Sequence, residues 1–225
     1  MTLNWTSKEY FASLICRDDR ANAALEMLVD DLHAAKDRTI RAFLCHSGSE
    51  DFLWGLVRLL GSDNARVAGN AAYILGTVAE NELGCYRIIS MTQACSPRCN
   101  TILIDLTNML AFDDSESMMN AAGTIGTLAE SAEGRAWMLK EDCLNLTISH
   151  ITNLLSSDNL WTSSNAALVL ARLTISEEGC LKILNHDKSH TVLAMLIASL
   201  GTDEAGKYTS TVALTWCPHV VYCDA

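Results

Sequence analysis

Proline is almost missing from this chain, with 2 in 225 residues, and no Ser/Gly/Pro-rich or low-complexity stretch interrupts it. Such clusters are what separate structured segments, so a string of domains on flexible linkers is excluded and one continuous array is expected. No run of about 18 apolar residues exists, which excludes a membrane-spanning helix. Residues 1–20 carry Lys8, Glu9, Arg17, Asp18, Asp19 and Arg20, so no signal peptide is expected. Clusters of Lys and Arg are missing too: 16 basic residues face 27 acidic ones, the formal charge is −11, and the lysines stand singly. A nucleic-acid surface must displace counterions from phosphate, so nucleic acid is excluded as a partner. The chain also lacks a Gly-rich Lys-Ser/Thr loop, His-Glu-x-x-His and a Gly-x-Ser-x-Gly elbow.

Cysteine is not scarce: Cys16, Cys45, Cys85, Cys95, Cys99, Cys143, Cys180, Cys217 and Cys223 make nine. The number is odd, the chain is not small, and most lie in apolar helical patterns where a reduced Cys acts as a small hydrophobe. A cytoplasmic location is expected, with the nucleus and the cilium left open. The spacings Asn4-Trp5-Thr6 and Asn145-Leu146-Thr147 are then coincidental glycosylation patterns.

What the chain does contain is a phrase repeated four times: Asn22-Ala23-Ala24, Asn70-Ala71-Ala72, Asn120-Ala121-Ala122 and Asn165-Ala166-Ala167, at separations of 48, 50 and 45 residues. Helical solenoids repeat at about 40–47 residues. The flanks of the last three copies align without a gap. Asp63, Asp113 and Asp158 stand seven residues before the Asn, and Gly84, Gly134 and Gly179 fourteen after it. Four and five residues beyond each Gly follow Ile88-Ile89, Met138-Leu139 and Ile183-Leu184. The first copy diverges, with Lys36 in place of the Gly.

Each copy holds two helical stretches parted by a breaker. In the second, Phe52, Leu53, Leu56, Val57, Leu59 and Leu60 share one face, and Val67, Ala71, Ile74, Leu75 and Val78 another. Between them Gly61-Ser62-Asp63-Asn64 places Ser62 or Asp63 to cap the second helix. A shorter apolar stretch follows Gly84, so the unit reads short helix, helix, breaker, longer helix.

The order Leu59-Leu60-Gly61-Ser62-Asp63, Val67, Asn70-Ala71-Ala72, Ile74-Leu75, Val78-Ala79-Glu80, Gly84 and Ile88 resembles the armadillo repeat, as do the phrases around Asn120 and Asn165. The resemblance covers roughly residues 20–216 and places a single array at 1–216, with an irregular tail at 217–225; the two-helix HEAT class is the runner-up. It implies an all-α, right-handed superhelical solenoid of about four to five three-helix repeats, the last truncated. It also implies a concave groove of third helices that binds a protein partner or extended segment, without enzymatic activity.

Positions 0, +3 and +7 from each Asn share one helix face. They are Asn70, Tyr73, Thr77; Asn120, Gly123, Thr127; and Asn165, Leu168, Arg172. If the resemblance holds, Asn70, Tyr73, Thr77, Asn120, Thr127, Asn165, Leu168 and Arg172 bind the partner. Nuclear-import adaptors of the family carry Trp at +3 and Asn at +7, and this chain carries neither, so nuclear-signal reading is not expected. The Asn at position 0 offers donor and acceptor for a bound backbone; alternatively it satisfies local backbone or the neighbouring repeat. The acidic charge suits a basic segment, or serves solubility alone.

No catalytic constellation, cofactor or metal site emerges. His186 and His190 have a spacing that zinc could use, but no matching cysteine pair is near, and a linker is the default. Cys95 and Cys99 fall where the period stretches, as a loop insertion would. Glu80 and Glu130 align as water-facing helix ends. A fifth copy starts at Val192 and stops at Trp216-Cys217-Pro218, where Pro breaks the third helix. A truncated end in place of a polar cap leaves two expectations open: self-association through uncapped ends, or an array cut from a larger regulatory or assembly-factor protein that docks through its ends.

Overall fold

The computed structural model describes residues 19–94, 102–186 and 189–199. All regular structure among them is helical: α1 (Asp19–Cys45), α2 (Ser49–Leu60), α3 (Ala65–Ala79), α4 (Glu82–Ala94), α5 (Ile102–Met109), α6 (Ser115–Glu130), α7 (Ala132–Met138), α8 (Leu144–Leu154), α9 (Leu160–Leu173), α10 (Glu177–Leu184) and α11 (Ser189–Ser199). The expected Cys95–Cys99 insertion and most of the fifth copy lie outside the described residues. The chain divides into two compact units, Met1–Thr124 and Ile125–Ala225.

In unit 1, α3 packs against both α1 and α2. α1 is two helices meeting at Ala35 (φ −156°, ψ 60°), the third helix of the first repeat and the short helix of the second. Phe43 and Phe52 meet edge-on across α1 and α2, their ring centroids 4.6 Å apart. In unit 2, α9 packs on α8, and α8 on α11.

The structure gives the repeated alanine pair and glycine steric causes. In the last three copies both alanines are essentially sealed: Ala71, Ala72, Ala121, Ala122 and Ala166 at 0% and Ala167 at 1% exposure. Only a methyl fits where these helices are surrounded. The glycine at +14 has a steric cause. A Cβ on Gly84, Gly134 or Gly179 would lie 2.1, 1.9 or 2.1 Å from the carbonyl oxygen of Val78, Leu128 or Leu173, so the short helix turns directly against the end of the third. The first copy has Lys36 at this position, and there the chain turns at the Ala35 kink instead.

The residue at +11 caps each short helix: Asn81 Oδ1 accepts from Leu83 N and Gly84 N, Ser131 Oγ from Gly134 N, and Ser176 Oγ from Gly179 N. The third-helix cap lies one residue later than the sequence reading puts it. Asn64, not Ser62 or Asp63, has the extended backbone a cap needs, and its Oδ1 accepts from Arg66 N at 3.1 Å and Val67 N at 3.4 Å. Ser62 Oγ accepts from Asn64 N and so orients the cap. Unit 2 repeats the device, with Ser157 Oγ accepting from Asn159 N and Asn159 Oδ1 from Trp161 N and Thr162 N.

Candidate partner-binding face

Unit 1 brings Asn70, Tyr73 and Asn120 onto half-buried positions of the third helices α3 and α6. The Tyr73 ring lies 5.3 Å from that of His33 on α1, tilted by 57°. Thr77 is turned inward: it is 5% exposed, and its hydroxyl donates to Tyr73 O at 2.8 Å, so it offers little surface. The Asn positions differ in how they are engaged. Asn120 Nδ2 donates to Gly69 O in the preceding repeat at 3.2 Å, and Asn22 Nδ2 donates to Glu26 Oε1 at 3.0 Å. Asn70 makes no side-chain hydrogen bond among the described residues, which leaves its amide available.

The contact of α3 with α6 is closer than the apolar pattern foretells. Ser117 Oγ donates to Ala65 O at 2.8 Å, and Thr124 Oγ1 lies 2.7 Å from Ala72 O and 2.8 Å from Asn120 O, sharing one proton. Gly69 and Gly76 make room for these hydroxyls, since a Cβ on either would lie 2.6 or 2.5 Å from them. Gly69 and Gly76 stand seven residues apart on one face of α3, and that spacing was a readable signal of close approach.

Beside this contact opens a cleft of about 360 Å³, lined by Glu26, Val29 and Asp30 from α1, Arg66, Gly69 and Asn70 from α3, Asp114, and Glu116, Ser117 and Asn120 from α6. Among these residues four carboxylates face a single cation. Asp114 caps α6, its Oδ2 accepting from Ser117 N at 2.8 Å, and the Ser117 hydrogen bonds hold its pKa below the ordinary aspartate value.

In unit 2, Asn165, Leu168 and Thr127 are half-buried. Arg172 is already engaged: its Nη2 lies 2.7 Å from Glu130 Oε2, and its side chain is 20% exposed. The stripe has one further member that positions 0, +3 and +7 miss. Trp161, one turn before Asn165, is 72% exposed, and Leu160 beside it 55%. Counting back to −4 along the same helix face would have found it.

Glu80 and Glu130 do sit at exposed helix ends, each paired with a cation of a neighbouring repeat, Lys36 and Arg172. His186 Nε2 lies between Ser149 Oγ (3.2 Å) and Asn145 O (3.1 Å). Among the described residues no three His, Cys, Asp or Glu side chains are grouped to hold a metal. Cys45, Cys85 and Cys143 are reduced, and burial, reinforced by the Glu141 charge, pushes Cys143 above the ordinary thiol value, away from nucleophilic use. Cys180 departs from the reduced-cysteine expectation, being disulfide-bonded and buried. No helix among the described residues is long and apolar enough to cross a membrane.

No protein-family model and no curated protein matches the chain in sequence. Solved structures match in fold. An engineered protein aligns over 93% of this chain and 78% of its own length, with a TM-score of 0.72 and 19% identity. A designed armadillo repeat protein in complex with the peptide (KR)4 aligns over 92% and 80%, with a TM-score of 0.71 and 16% identity. A second designed armadillo repeat protein aligns over 93% and 98%, with a TM-score of 0.51 and 17% identity. The chain therefore has the armadillo-type all-α solenoid fold, a repeat scaffold compatible with protein binding.

Proposed function

We propose that this chain is a non-enzymatic scaffold or adaptor that binds an extended segment of a partner protein along its third-helix faces. The observation that carries this is selective exposure. α3 and α9 bury most of their apolar side chains, yet Asn70 and Tyr73, and Trp161, Asn165 and Leu168, stay at least partly accessible on one stripe of each helix. Aromatic side chains held on a rigid helix supply contact area at low entropic cost, and Asn70 can pair with a partner's backbone. The fold shared with a designed protein solved with a (KR)4 peptide supports a peptide-like partner. The charge of −11 and the carboxylates around the unit 1 cleft support a basic one.

The test is site-specific photo-crosslinking in cytosolic extract. A photoreactive residue at Tyr73 or Leu168 should trap the partner, whereas one at Arg58 on α2 or Leu146 on α8, both exposed on helices other than the third, should not. Equal trapping at all four positions would refute the third-helix assignment.

A further inference from the structure

We propose that the unit 1 cleft is a seat for a basic side chain of a partner segment, and that Arg66 occupies this seat in the free protein. The proposal rests on the scaffold reading above and gives that partner its chemistry.

The four carboxylates of the cleft are not equivalent. Asp114 is committed to capping α6. Glu26 Oε1 receives Asn22 Nδ2 at 3.0 Å and Arg66 Nη2 at 2.6 Å. Asp30 and Glu116 have neither ion pair nor hydrogen bond among the described residues. A concave wall with that surplus of negative charge focuses its field into the cleft and attracts a cation of matching size. The protein already shows which cation fits, because the guanidinium of Arg66 rests against Glu26.

Arg66 fills the seat incompletely. A guanidinium carries five N–H donors in a planar fork, and Arg66 spends its ion pair on one carboxylate oxygen while its side chain stays 71% exposed. Its stem is long, and its one ion-pair partner among the described residues is itself partly open to water, so it can swing out. An arginine or lysine arriving on a partner segment engages Asp30 and Glu116, which Arg66 leaves unpaired, while the free amide of Asn70 meets the segment's backbone. Arg66 is then a built-in competitor that raises the threshold for weakly basic partners.

The experiment titrates a labelled alternating Lys-Arg octapeptide into the full chain by fluorescence anisotropy, with an alternating Asp-Glu octapeptide as the reference. Wild type should bind the basic peptide and not the acidic one. Asp30→Asn/Glu116→Gln should weaken binding about tenfold or more. Glu50→Gln/Asp51→Asn removes two equivalent charges on α2 outside the cleft, and should change affinity less than about twofold. Arg66→Gln should tighten binding roughly threefold. Thermal melts matching wild type confirm that each variant is folded. Equal weakening by the two double variants, or a Lys-Arg peptide that binds no better than the acidic one, overturns the seat. Unchanged or weaker binding by Arg66→Gln overturns its role as occupant. Any of these results leaves the crosslinking test of the third-helix faces standing, so the two ideas fail separately.

Discussion

Gly76 and Gly126 occupy the same place, six residues after the Asn of their repeats, yet they meet different neighbours. In unit 1 a Cβ on Gly76 would lie 2.5 Å from Thr124 Oγ1 and 3.2 Å from Thr124 Cα. In unit 2 a Cβ on Gly126 would sit 3.5 Å from Val169 Cγ2, an ordinary contact. Hydroxyl-to-carbonyl bonds draw α3 and α6 together, whereas α9 approaches through aliphatic packing. The faces differ in the same sense. Unit 1 presents amides and carboxylates around a cleft, while unit 2 presents Trp161, Leu168 and an arginine already paired with Glu130. One repeat motif thus carries two surface chemistries, because its alanine pair and its glycine at +14 are enclosed while the positions around them are left to vary.

The landmark shared by both units gives the largest expected effect. Gly84→Ala in unit 1 and Gly134→Ala in unit 2 each force a methyl to within about 2 Å of a backbone carbonyl that cannot move aside. Each should cost about 3 kcal/mol or more in urea denaturation. If one is tolerated, the tight turn is not common to the two units.

The helix-interior glycines sharpen the contrast. Gly76→Ala should cost roughly 1–3 kcal/mol, since Thr124 must shift and surrender its bond to Ala72 O. Gly126→Ala should be neutral or stabilise by up to about 1 kcal/mol, because alanine is the better helix former and the added methyl makes only ordinary contacts. Equal effects at the two sites would erase the distinction between a hydroxyl-bonded and an aliphatic contact.

A smaller gain is expected in unit 2 from Thr162, which is fully buried with a hydroxyl that has no hydrogen-bond partner among the described residues. Thr162→Val keeps the shape and removes the stranded polar atom, so it should stabilise by about 1 kcal/mol. In unit 1, Thr124→Val should instead destabilise by a similar amount, because that hydroxyl is bonded.

The sequence discloses the repeat because its markers are steric. The alanine pair and the Gly at +14 admit almost no other residue, so they recur and can be counted. The site was harder to read, and Thr77 shows why. Helical periodicity places +7 beside 0 and +3, but it cannot tell that this threonine turns its hydroxyl back to Tyr73 O and is covered by its neighbours. Asn120 was legible only as an alternative, since its bond to Gly69 O depends on the register of two helices fifty-one residues apart in sequence. The third-helix cap was misplaced by one residue, because Ser62, Asp63 and Asn64 all have capping side chains and only backbone conformation selects among them. Exposed Trp161 lies one turn before the Asn that opens the repeated phrase, so the phrase itself carries no sign of it.

The mildest test of the comparison is in acid, and it concerns how the third helices begin. α3 and α9 start from neutral caps, Asn64 and Asn159, whereas α6 starts from Asp114. Hydrogen bonds from Ser117 lower the folded-state pKa of Asp114, so its carboxylate form is favoured by folding. The contribution is therefore complete above the unfolded-state value near pH 3.9, and it is lost as the pH falls through the lower folded-state value. The group is largely solvated, so the effect is small. Asp114→Asn replaces the acid with a capping residue that does not titrate, and should leave stability at pH 7 nearly unchanged while flattening part of the decline below about pH 4. Hydrogen exchange of the first-turn amides of α6 and α3 in one sample separates local from global acid effects. Protection at Ser117 N should fall with pH in wild type and hold in Asp114→Asn, while protection at Val67 N, capped by Asn64, follows the same course in both proteins. Identical acid profiles at Ser117 N in the two proteins would show that the charged cap of α6 does no more than its neutral counterparts.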